Sequence, residues 1–453
     1  MSDVLVIGSG PTLQRFADRM RHHAHPGSLT VLETDPPALS PAFGPVVGGG
    51  GAGLRAEVVG VDRERRRVSA RVDAVETTYP YDVLVLAGGT RPVVPGIPGL
   101  LDARGRLVDG VVAPSAVTDA ARVTGGTVVV LGDAPLGVEV ASALTARGVD
   151  TTLVCAEPRP LLGRLGEICA SLLSEWLERT GVTVVGGANA VRRAPGRLVL
   201  DNGTTLRADT LVLCAGAVPD TRLGLAAGLI VHSGIVVDDQ LRASDPRVHA
   251  IGDCAEHDGR TVPGADAAWA QAEVLARVLT GQAAAYRPPP PALRLRVPGA
   301  DVAGFGSPAD LEQPGTRLIS VTDPAGGRHA RVALRDERVV AAVLFGLPQA
   351  IATIGFLHRH GRCFPSDRLG LLLGLPPRPA SHARETSVDS QVCLCNNVSM
   401  GTLRQAWRTG SRTAGALATV TRATTGCGGC SQSVADLCRV WASESGDRLV
   451  AAS

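Results

Sequence analysis

The 453-residue sequence contains no lysine, because all 45 of its basic residues are arginine. Without a lysine amine, Schiff-base and pyridoxal chemistry and a Walker-type phosphate lysine are excluded. Aromatic residues make up only 3% of the chain, and the net charge is +2. Neither value is typical of a protein that stacks on bases or is steered to an anionic surface. We therefore expect neither nucleic acid nor a membrane as a partner.

Long hydrophobic runs are also scarce. One charge-free run, residues 339–357, is long enough to span a membrane. Gly346 and Pro348 interrupt it, so we predict a buried strand, a turn and a helix instead. The chain enters a strand pattern at once, with no recognisable leader, and we expect a cytoplasmic protein. In that compartment, ten cysteines indicate metal ligands or free thiols more than disulfides.

Two stretches of the chain share a strand–turn–helix–strand pattern. Residues 1–35 contain DVLVIG, a glycine turn, a helix and LTVLE, and residues 127–157 repeat this layout. A buried strand with a glycine turn follows the first unit at 81–99. A shorter segment with the same pattern follows the second unit at 209–221. Two such units predict an α/β fold with two Rossmann-like dinucleotide-binding domains.

The first glycine turn has the composition of a nucleotide site. Gly8 and Gly10 allow a tight turn and close approach to a pyrophosphate, and the next helix adds its positive end. Glu33 ends the second strand, where a carboxylate can bond a ribose diol. Leu13 stands at the third glycine position and should push the helix away from the strand. The alternative interpretation is an ordinary strand–helix turn.

The second turn contains Gly132 and Gly137, with Ala134 at the middle position. Its second strand ends at Cys155 and not at a carboxylate that could bond the ribose. The residue at this position therefore leaves the choice between NADH and NADPH open. The alternative is a duplicated fold that has lost its ligand.

A third segment, residues 248–256, reads VHAIGDCAE. It resembles the flavin-binding signature of the flavoprotein reductases with two dinucleotide domains, the pyridine nucleotide-disulfide reductase type. The resemblance covers residues 1–285 and implies FAD at the first turn and NAD(P)H at the second. It implies that Asp253 bonds the ribityl chain and that Glu139, the candidate catalytic residue, lies near the nicotinamide. A plain helix-surface residue is the alternative for Glu139. The cofactor-binding residues that it implies are Gly8, Ser9, Gly10, Pro11, Glu33, Ala87, Gly88, Arg91, Gly132, Pro135, Leu136, Gly137, Gly216, Gly252 and Asp253.

Four cysteines near the end of the chain form a CxC pair and a CxxC pair: Cys393, Cys395, Cys427 and Cys430. Four thiolates suit either zinc or a [2Fe-2S] cluster, and CxC is an uncommon start for a zinc knuckle. The segment resembles the small helical [2Fe-2S] domain of bacterioferritin-associated ferredoxin, which favours the cluster. In this arrangement Ser399 caps the first helix, Gly410 ends it, and Cys430 starts the last one.

The remaining cysteines, at 155, 169, 214, 254, 363 and 438, stand singly, and we expect them in cores. No cysteine precedes Cys155, so the flavin-facing redox disulfide of glutathione-type reductases is missing. Electrons must therefore leave the flavin by another route.

Residues 293–375 resemble the small α+β domain of the nitrite reductase large subunit. We expect four domains: an FAD domain (1–112 and 237–286), an NAD(P)H domain (113–236), this α+β domain, and a [2Fe-2S] domain (390–445). We expect no counterpart here of the family's second half, which carries siroheme and a four-iron cluster. One departure is the segment 34–53, where relatives carry a tyrosine–asparagine–arginine motif beside the flavin.

These resemblances imply an NAD(P)H-oxidising flavoprotein that passes electrons through a [2Fe-2S] centre to a partner reductase. The expected partner is the molybdopterin subunit of assimilatory nitrate reductase, with nitrite reductase second. Two alternatives stay open. One is the flavin subunit of an amine, opine or glycine-type dehydrogenase, and the other is a non-enzymatic iron or redox sensor.

Overall fold

A computed structural model describes residues 2–34, 53–123, 125–374, 390–393, 396–426 and 430–445. The chain forms two compact units. The first consists of Met1–Pro158 and Thr180–Pro289, and the second of Arg159–Arg179 and Pro290–Ser453. The departing segment 34–53 lies almost entirely outside the described residues, as do Cys395 and Cys427.

The first unit contains a parallel sheet whose described strands run in the order β19-β7-β1-β2-β3. Its central strand is buried along its whole length, as expected of a parallel strand covered on both faces. The strands are β1 (Val4–Gly8), β2 (Leu29–Glu33), β3 (Gly53–Arg55), β7 (Val83–Ala87) and β19 (Val248–Ala250).

Two helices pack together beside this sheet. They are α1 (Gly10–His22) and α5 (Ala265–Leu279). The apolar residues of α1 recur with helical spacing, and Leu13, Phe16, Ala17 and Met20 are buried. Leu13 is thus a core residue, only 1% exposed.

A second parallel sheet in the same unit has the described order β12-β11-β10-β16-β9. The helix α2 (Pro135–Thr145) connects β10 to β11, as predicted for the second strand–helix–strand pattern. The strands are β9 (Val111–Val112), β10 (Thr127–Leu131), β11 (Asp150–Val154), β12 (Thr183–Val185) and β16 (Thr210–Leu213).

Smaller elements complete the first unit: two antiparallel sheets, two two-stranded pairings, a short helix and a 3₁₀ turn. One antiparallel sheet consists of β4 (Glu57–Asp62), β5 (Arg67–Val72) and β6 (Val75–Pro80), and the other of β13 (Ala190–Ala194), β14 (Arg197–Leu200) and β15 (Thr205–Arg207). The two pairings join β8 (Thr90–Pro92) to β17 (Ala217–Pro219) and β18 (Ile235–Val237) to β20 (Ala255–His257). The short helix is α4 (Arg222–Ala226), and the 3₁₀ turn is Val117–Arg122.

The second unit holds an antiparallel sheet in the described order β21-β22-β25-β24-β23. The charge-free run 339–357 forms β25 and α6, as predicted. The elements are α3 (Leu162–Arg179, kinked at Gly166), β21 (Ala292–Val297), β22 (Ala300–Phe305), the 3₁₀ turn Pro308–Leu311, β23 (Arg317–Asp323), β24 (Arg328–Arg335), β25 (Arg338–Phe345), α6 (Pro348–Arg359) and α7 (Arg368–Leu372).

The same unit includes a small helical part with its own core. It contains β26 (Gln391–Cys393), β27 (Val398–Ser399), α8 (Met400–Arg408), α9 (Ala414–Thr421) and α10 (Ser431–Ser445). Along the described residues, no helix is both long and apolar enough to cross a membrane.

Candidate functional site

The first glycine turn follows β1, which lies between β7 and β2. The chain continues from β1 to β2 on one side and returns to β7 on the other, so the order of the strands reverses here. Gly8 pairs in register with Ala87, and a Cβ added to Gly8 would lie 2.1 Å from the Ala87 carbonyl oxygen. Any side chain there would force β1 and β7 apart. Ligands of open parallel sheets bind at the carboxyl ends of strands at such a switch point.

The start of α1 can receive an anionic group. Gly10 has φ +79°, a conformation that favours glycine, and an added Cβ would have no neighbour within 4 Å. Ser9 precedes the helix but makes no side-chain capping hydrogen bond, and Pro11 lies in the first turn. The first amides of a helix have no intrahelical acceptor, so they can donate to a phosphate.

Glu33 lies beside this turn, since it pairs in register with Gly8 at the end of β2. Its side chain is partly exposed. The structure therefore brings together the turn and the carboxylate that the sequence predicts for a ribose. These roles remain predictions.

The segment Gly252–Asp253 also reaches this end of the sheet, because Ile251 continues the pairing of β19 with β7. Asp253 Oδ1 accepts a 3.0 Å hydrogen bond from the Gly264 amide, and Oδ2 has no partner among the described residues. Burial raises the pKa of Asp253 above its ordinary value. A desolvated carboxylate with one available oxygen fits a ligand hydroxyl, as an FAD ribityl chain would offer.

Two further residues of this region were not predicted. The Gly252 amide donates a 2.5 Å hydrogen bond to Gln271 Oε1 on α5, and Gln271 is only 2% exposed. Thr12 of α1 lies opposite, 3.2 Å from a Cβ that would be added to Gly252. The available signal was a polar residue, Gln271, within the buried alanine face of α5.

The second turn repeats the geometry of the first. A Cβ added to Gly132 would lie 2.2 Å from the Cys214 carbonyl oxygen, and one added to Gly137 would lie 2.1 Å from the Gly132 carbonyl oxygen. Both glycines are therefore required for close packing of β10, β16 and α2. Pro135 and Leu136 begin α2, and Glu139 follows in its second turn, partly exposed.

The glycine segments after β7 and β16 meet each other. The strands β8 and β17 pair antiparallel, with Arg91 opposite Val218, and the Asp220 amide donates to the Gly89 carbonyl at 3.0 Å. Gly216 (φ +103°) leads into β17, as Gly88 leads toward β8. The predicted residues Ala87, Gly88, Arg91 and Gly216 thus belong to one bridge between the ends of the two sheets.

In the helical part of the second unit, Cys393 ends β26 and Cys430 directly precedes α10. Both are buried in one core, which also contains Trp407 and Trp441 with ring centroids 5.5 Å apart. Cys395 and Cys427 lie outside the described residues. Among those that are described, no three His, Cys, Asp or Glu side chains are grouped to hold a metal.

The predicted helix signals of this part are confirmed. Ser399 Oγ accepts a 3.2 Å hydrogen bond from the Thr402 amide at the start of α8, and Gly410 follows its end with φ +113°. Asn396 was not predicted, although its side chain joins two loops with a 2.6 Å hydrogen bond to the Arg422 carbonyl oxygen.

The single cysteines are buried as expected, with one exception. Cys155, Cys169, Cys214, Cys254 and Cys438 are buried, but Cys363 is exposed, so that expectation was wrong. Cys363 follows α6, and an isolated antiparallel bridge pairs it with Arg338 at the start of β25.

Residues 2–272 match the sequence profile of the pyridine nucleotide-disulphide oxidoreductases. The chain belongs to this family. Residues 391–439 match the BFD-like [2Fe-2S] binding domain, which confirms the iron–sulfur prediction over zinc. This oxidoreductase thus combines FAD- and NAD(P)H-binding domains of Rossmann type with a [2Fe-2S] domain.

Two curated relatives come from Bacillus subtilis (strain 168). The oxidoreductase is 29% identical to a nitrite reductase [NAD(P)H] over 84% of this chain and 48% of the relative. It is 27% identical to an assimilatory nitrate reductase electron transfer subunit over 84% of this chain and 49% of the relative. The chain spans about half the length of these relatives.

Solved structures share the fold. A NAD-dependent persulfide reductase from A. fulgidus superposes with a TM-score of 0.66 at 23% identity, over 80% of this chain and 77% of that one.

Proposed function

We propose that this oxidoreductase takes electrons from NAD(P)H and delivers them, by way of FAD and the [2Fe-2S] centre, to a separate partner reductase. The observation that carries the proposal is the presence of two glycine turns and a BFD-like module in one chain. Nicotinamide provides two electrons as a hydride, whereas a [2Fe-2S] centre accepts one, and FAD supplies the chemistry that links them.

The chain's own residues hold and orient the two nucleotides in this proposal. Gly8 and Gly10 leave room for the FAD pyrophosphate, and Asp253 accepts a hydrogen bond from a ribityl hydroxyl. Gly132 and Gly137 admit the pyrophosphate of NAD(P)H. Glu139, in the second turn of α2, is the residue that we assign to the nicotinamide end of the site.

The relatives support the choice of acceptor. One of them is an assimilatory nitrate reductase electron transfer subunit, so we propose the molybdopterin-containing catalytic subunit of a nitrate reductase as the partner. A nitrite reductase is the second choice, because another relative is a nitrite reductase [NAD(P)H]. The proposed domains are 1–112 with 237–286, 113–236, 293–375 and 390–445.

The test is reconstitution with FAD- and cluster-loaded full chain. The chain is mixed with the nitrate reductase catalytic subunit from the same organism, nitrate, and NADH or NADPH, and nitrite formation is measured. We expect nitrite to form only when all components are present. A parallel reaction with the organism's nitrite reductase and nitrite measures ammonium formation.

Three results would argue against the proposal. One is turnover with neither reductase. A second is flavin reduction by an amine or opine but by neither nicotinamide, which would support the dehydrogenase alternative. The third is equal turnover by Cys393→Ser, because the cluster would then lie off the route.

A further inference from the structure

In dinucleotide-binding folds, the residue at the end of the second strand distinguishes NADH from NADPH. Here that strand is β11, and the usual acidic residue is missing from its end. In such folds, a carboxylate about 20 residues after the first glycine bonds the 2′-hydroxyl of the adenosine ribose. Cys155 stands there instead, fully buried. Burial, with the Asp133 and Glu157 carboxylates nearby, raises the pKa of Cys155 to about 12. A neutral buried thiol is a weak hydrogen-bond acceptor and cannot replace a carboxylate that binds the ribose hydroxyls.

A carboxylate from the glycine turn, and not from β11, lies close to the end of β11. Asp133 lies inside the glycine turn, directly after Gly132, and its Oδ2 accepts a 3.4 Å hydrogen bond from the Glu157 amide. The Gly132 amide donates to the Val154 carbonyl at 3.0 Å, so the turn and the end of β11 are joined twice. The Asp133 side chain therefore lies beside the backbone that follows β11, where a ribose carboxylate is required.

Two carboxylates lie at this position. Asp133 and Glu157 both act on Cys155 as neighbouring carboxylates. The next arginine along the chain, Arg159, pairs with Glu167 at 2.7 Å. A 2′-phosphate needs an arginine for compensation, and carboxylates at this position would repel it.

We propose that Asp133 binds the adenosine ribose of the nicotinamide nucleotide and thereby makes NADH the preferred donor. The inference rests on the proposed function, because it concerns the donor site of that reaction. The carboxylate accepts hydrogen bonds from the ribose hydroxyls of NADH. With NADPH it would instead face a phosphate that carries up to two negative charges, with no hydroxyl at the 2′ position.

Binding can be measured without turnover. Isothermal titration calorimetry of the FAD-loaded full chain with ADP-ribose and with 2′-phospho-ADP-ribose compares the two riboses, and neither probe reduces the flavin. We expect the wild type to bind ADP-ribose at least about tenfold more tightly, as the loss of a charge-assisted hydrogen bond implies. Asp133→Asn should lower this ratio by about tenfold or more.

Asp150→Asn is the matched control. Asp150 begins β11, so this variant removes the same charge from the opposite end of the same strand. It should leave the binding ratio unchanged. FAD content and circular dichroism confirm that each variant is folded, and the wild-type ratio is informative on its own if Asp133→Asn fails to fold.

Two results would overturn the inference alone: equal or tighter binding of 2′-phospho-ADP-ribose by the wild type, or an unchanged ratio in folded Asp133→Asn. In either case, NADPH-driven flavin reduction would leave the proposed function intact. If neither probe binds and neither NADH nor NADPH reduces the flavin, the inference and the proposed function fail together.

Discussion

Asn396 and Arg422 join the two loops that precede and follow the helices α8 and α9. The Asn396 side-chain amide donates a 2.6 Å hydrogen bond to the Arg422 carbonyl oxygen, and a weaker one, 3.3 Å, to Thr425 Oγ1. Asn396 directly follows the CxC pair, and Arg422 lies five residues before Cys427. Arg422 itself has φ +63°, a left-handed conformation that such a contact helps to hold.

Asn396→Ala should therefore weaken retention of the [2Fe-2S] cluster. Loss of one hydrogen bond costs roughly 0.5–1.5 kcal/mol, so we expect cluster release to be about two- to tenfold faster. The measurement is the decay of visible absorbance in the presence of an iron chelator. Asn397→Gly is the control, since Asn397 is left-handed (φ +52°) and its side chain makes no hydrogen bond to the described residues. Equal decay of the two variants would contradict the role of Asn396.

Gly137→Ala should slow the reduction of FAD by NADH without releasing FAD. The added Cβ would lie 2.1 Å from the Gly132 carbonyl oxygen, so α2 must shift away from the pyrophosphate position. Overpacking of this kind costs about 1–3 kcal/mol, and we expect stopped-flow reduction to slow by about tenfold or more. Gly96→Ala is the control, because its Cβ would meet nothing within 4 Å. Unchanged reduction by Gly137→Ala would place the nucleotide elsewhere.

Asp253→Ala should weaken FAD retention. A hydrogen bond to a charged group contributes roughly 1.5–3 kcal/mol, so FAD affinity should fall by about 10- to 100-fold. The increase in free-flavin fluorescence on dilution measures it. Asp82→Ala is the control, since Asp82 precedes β7 at the opposite end of the same sheet and accepts from the Asp3 amide. If both variants retain FAD equally, Asp253 does not contact it.

The buried His249 on β19 should make stability depend on pH. It is 3% exposed, and burial lowers its pKa to about 4, compared with 6.5 in the unfolded chain. Between these values the unfolded chain binds the additional proton, so the folded state loses stability as pH falls from 6.5 toward 4. At pH 5 the expected loss is about 2 kcal/mol.

Urea unfolding of the wild type and His249→Gln at pH 7 and pH 5 measures this effect. The wild-type midpoint should decrease more between the two pH values than the midpoint of the variant. An identical decrease in both proteins would show that His249 is not the cause.

Periodic and local signals were readable from the sequence, and contacts between distant segments were not. The glycine turns, the Ser399 cap and the division of 339–357 at Gly346 and Pro348 depend on residues a few positions apart. Gln271 contacts Gly252 across 19 residues, and Asn396 contacts Arg422 across 26. No spacing rule indicates such pairs. The contact of Asp133 with the Glu157 amide is likewise not indicated by the motif, which places an acidic residue at the end of β11 and not in the turn.

Rapid-freeze electron paramagnetic resonance after anaerobic mixing with NADH measures whether electrons pass from the nicotinamide nucleotide to the [2Fe-2S] centre. The wild type should develop the rhombic signal of a reduced [2Fe-2S] centre as the flavin absorbance bleaches. Cys438→Ser, altered in the same core but not at a predicted ligand, should do the same. Cys430→Ser should bleach its flavin at the normal rate and show no such signal. If the wild-type cluster stays oxidised while the flavin is reduced and the partner turns over, electrons do not pass through the cluster.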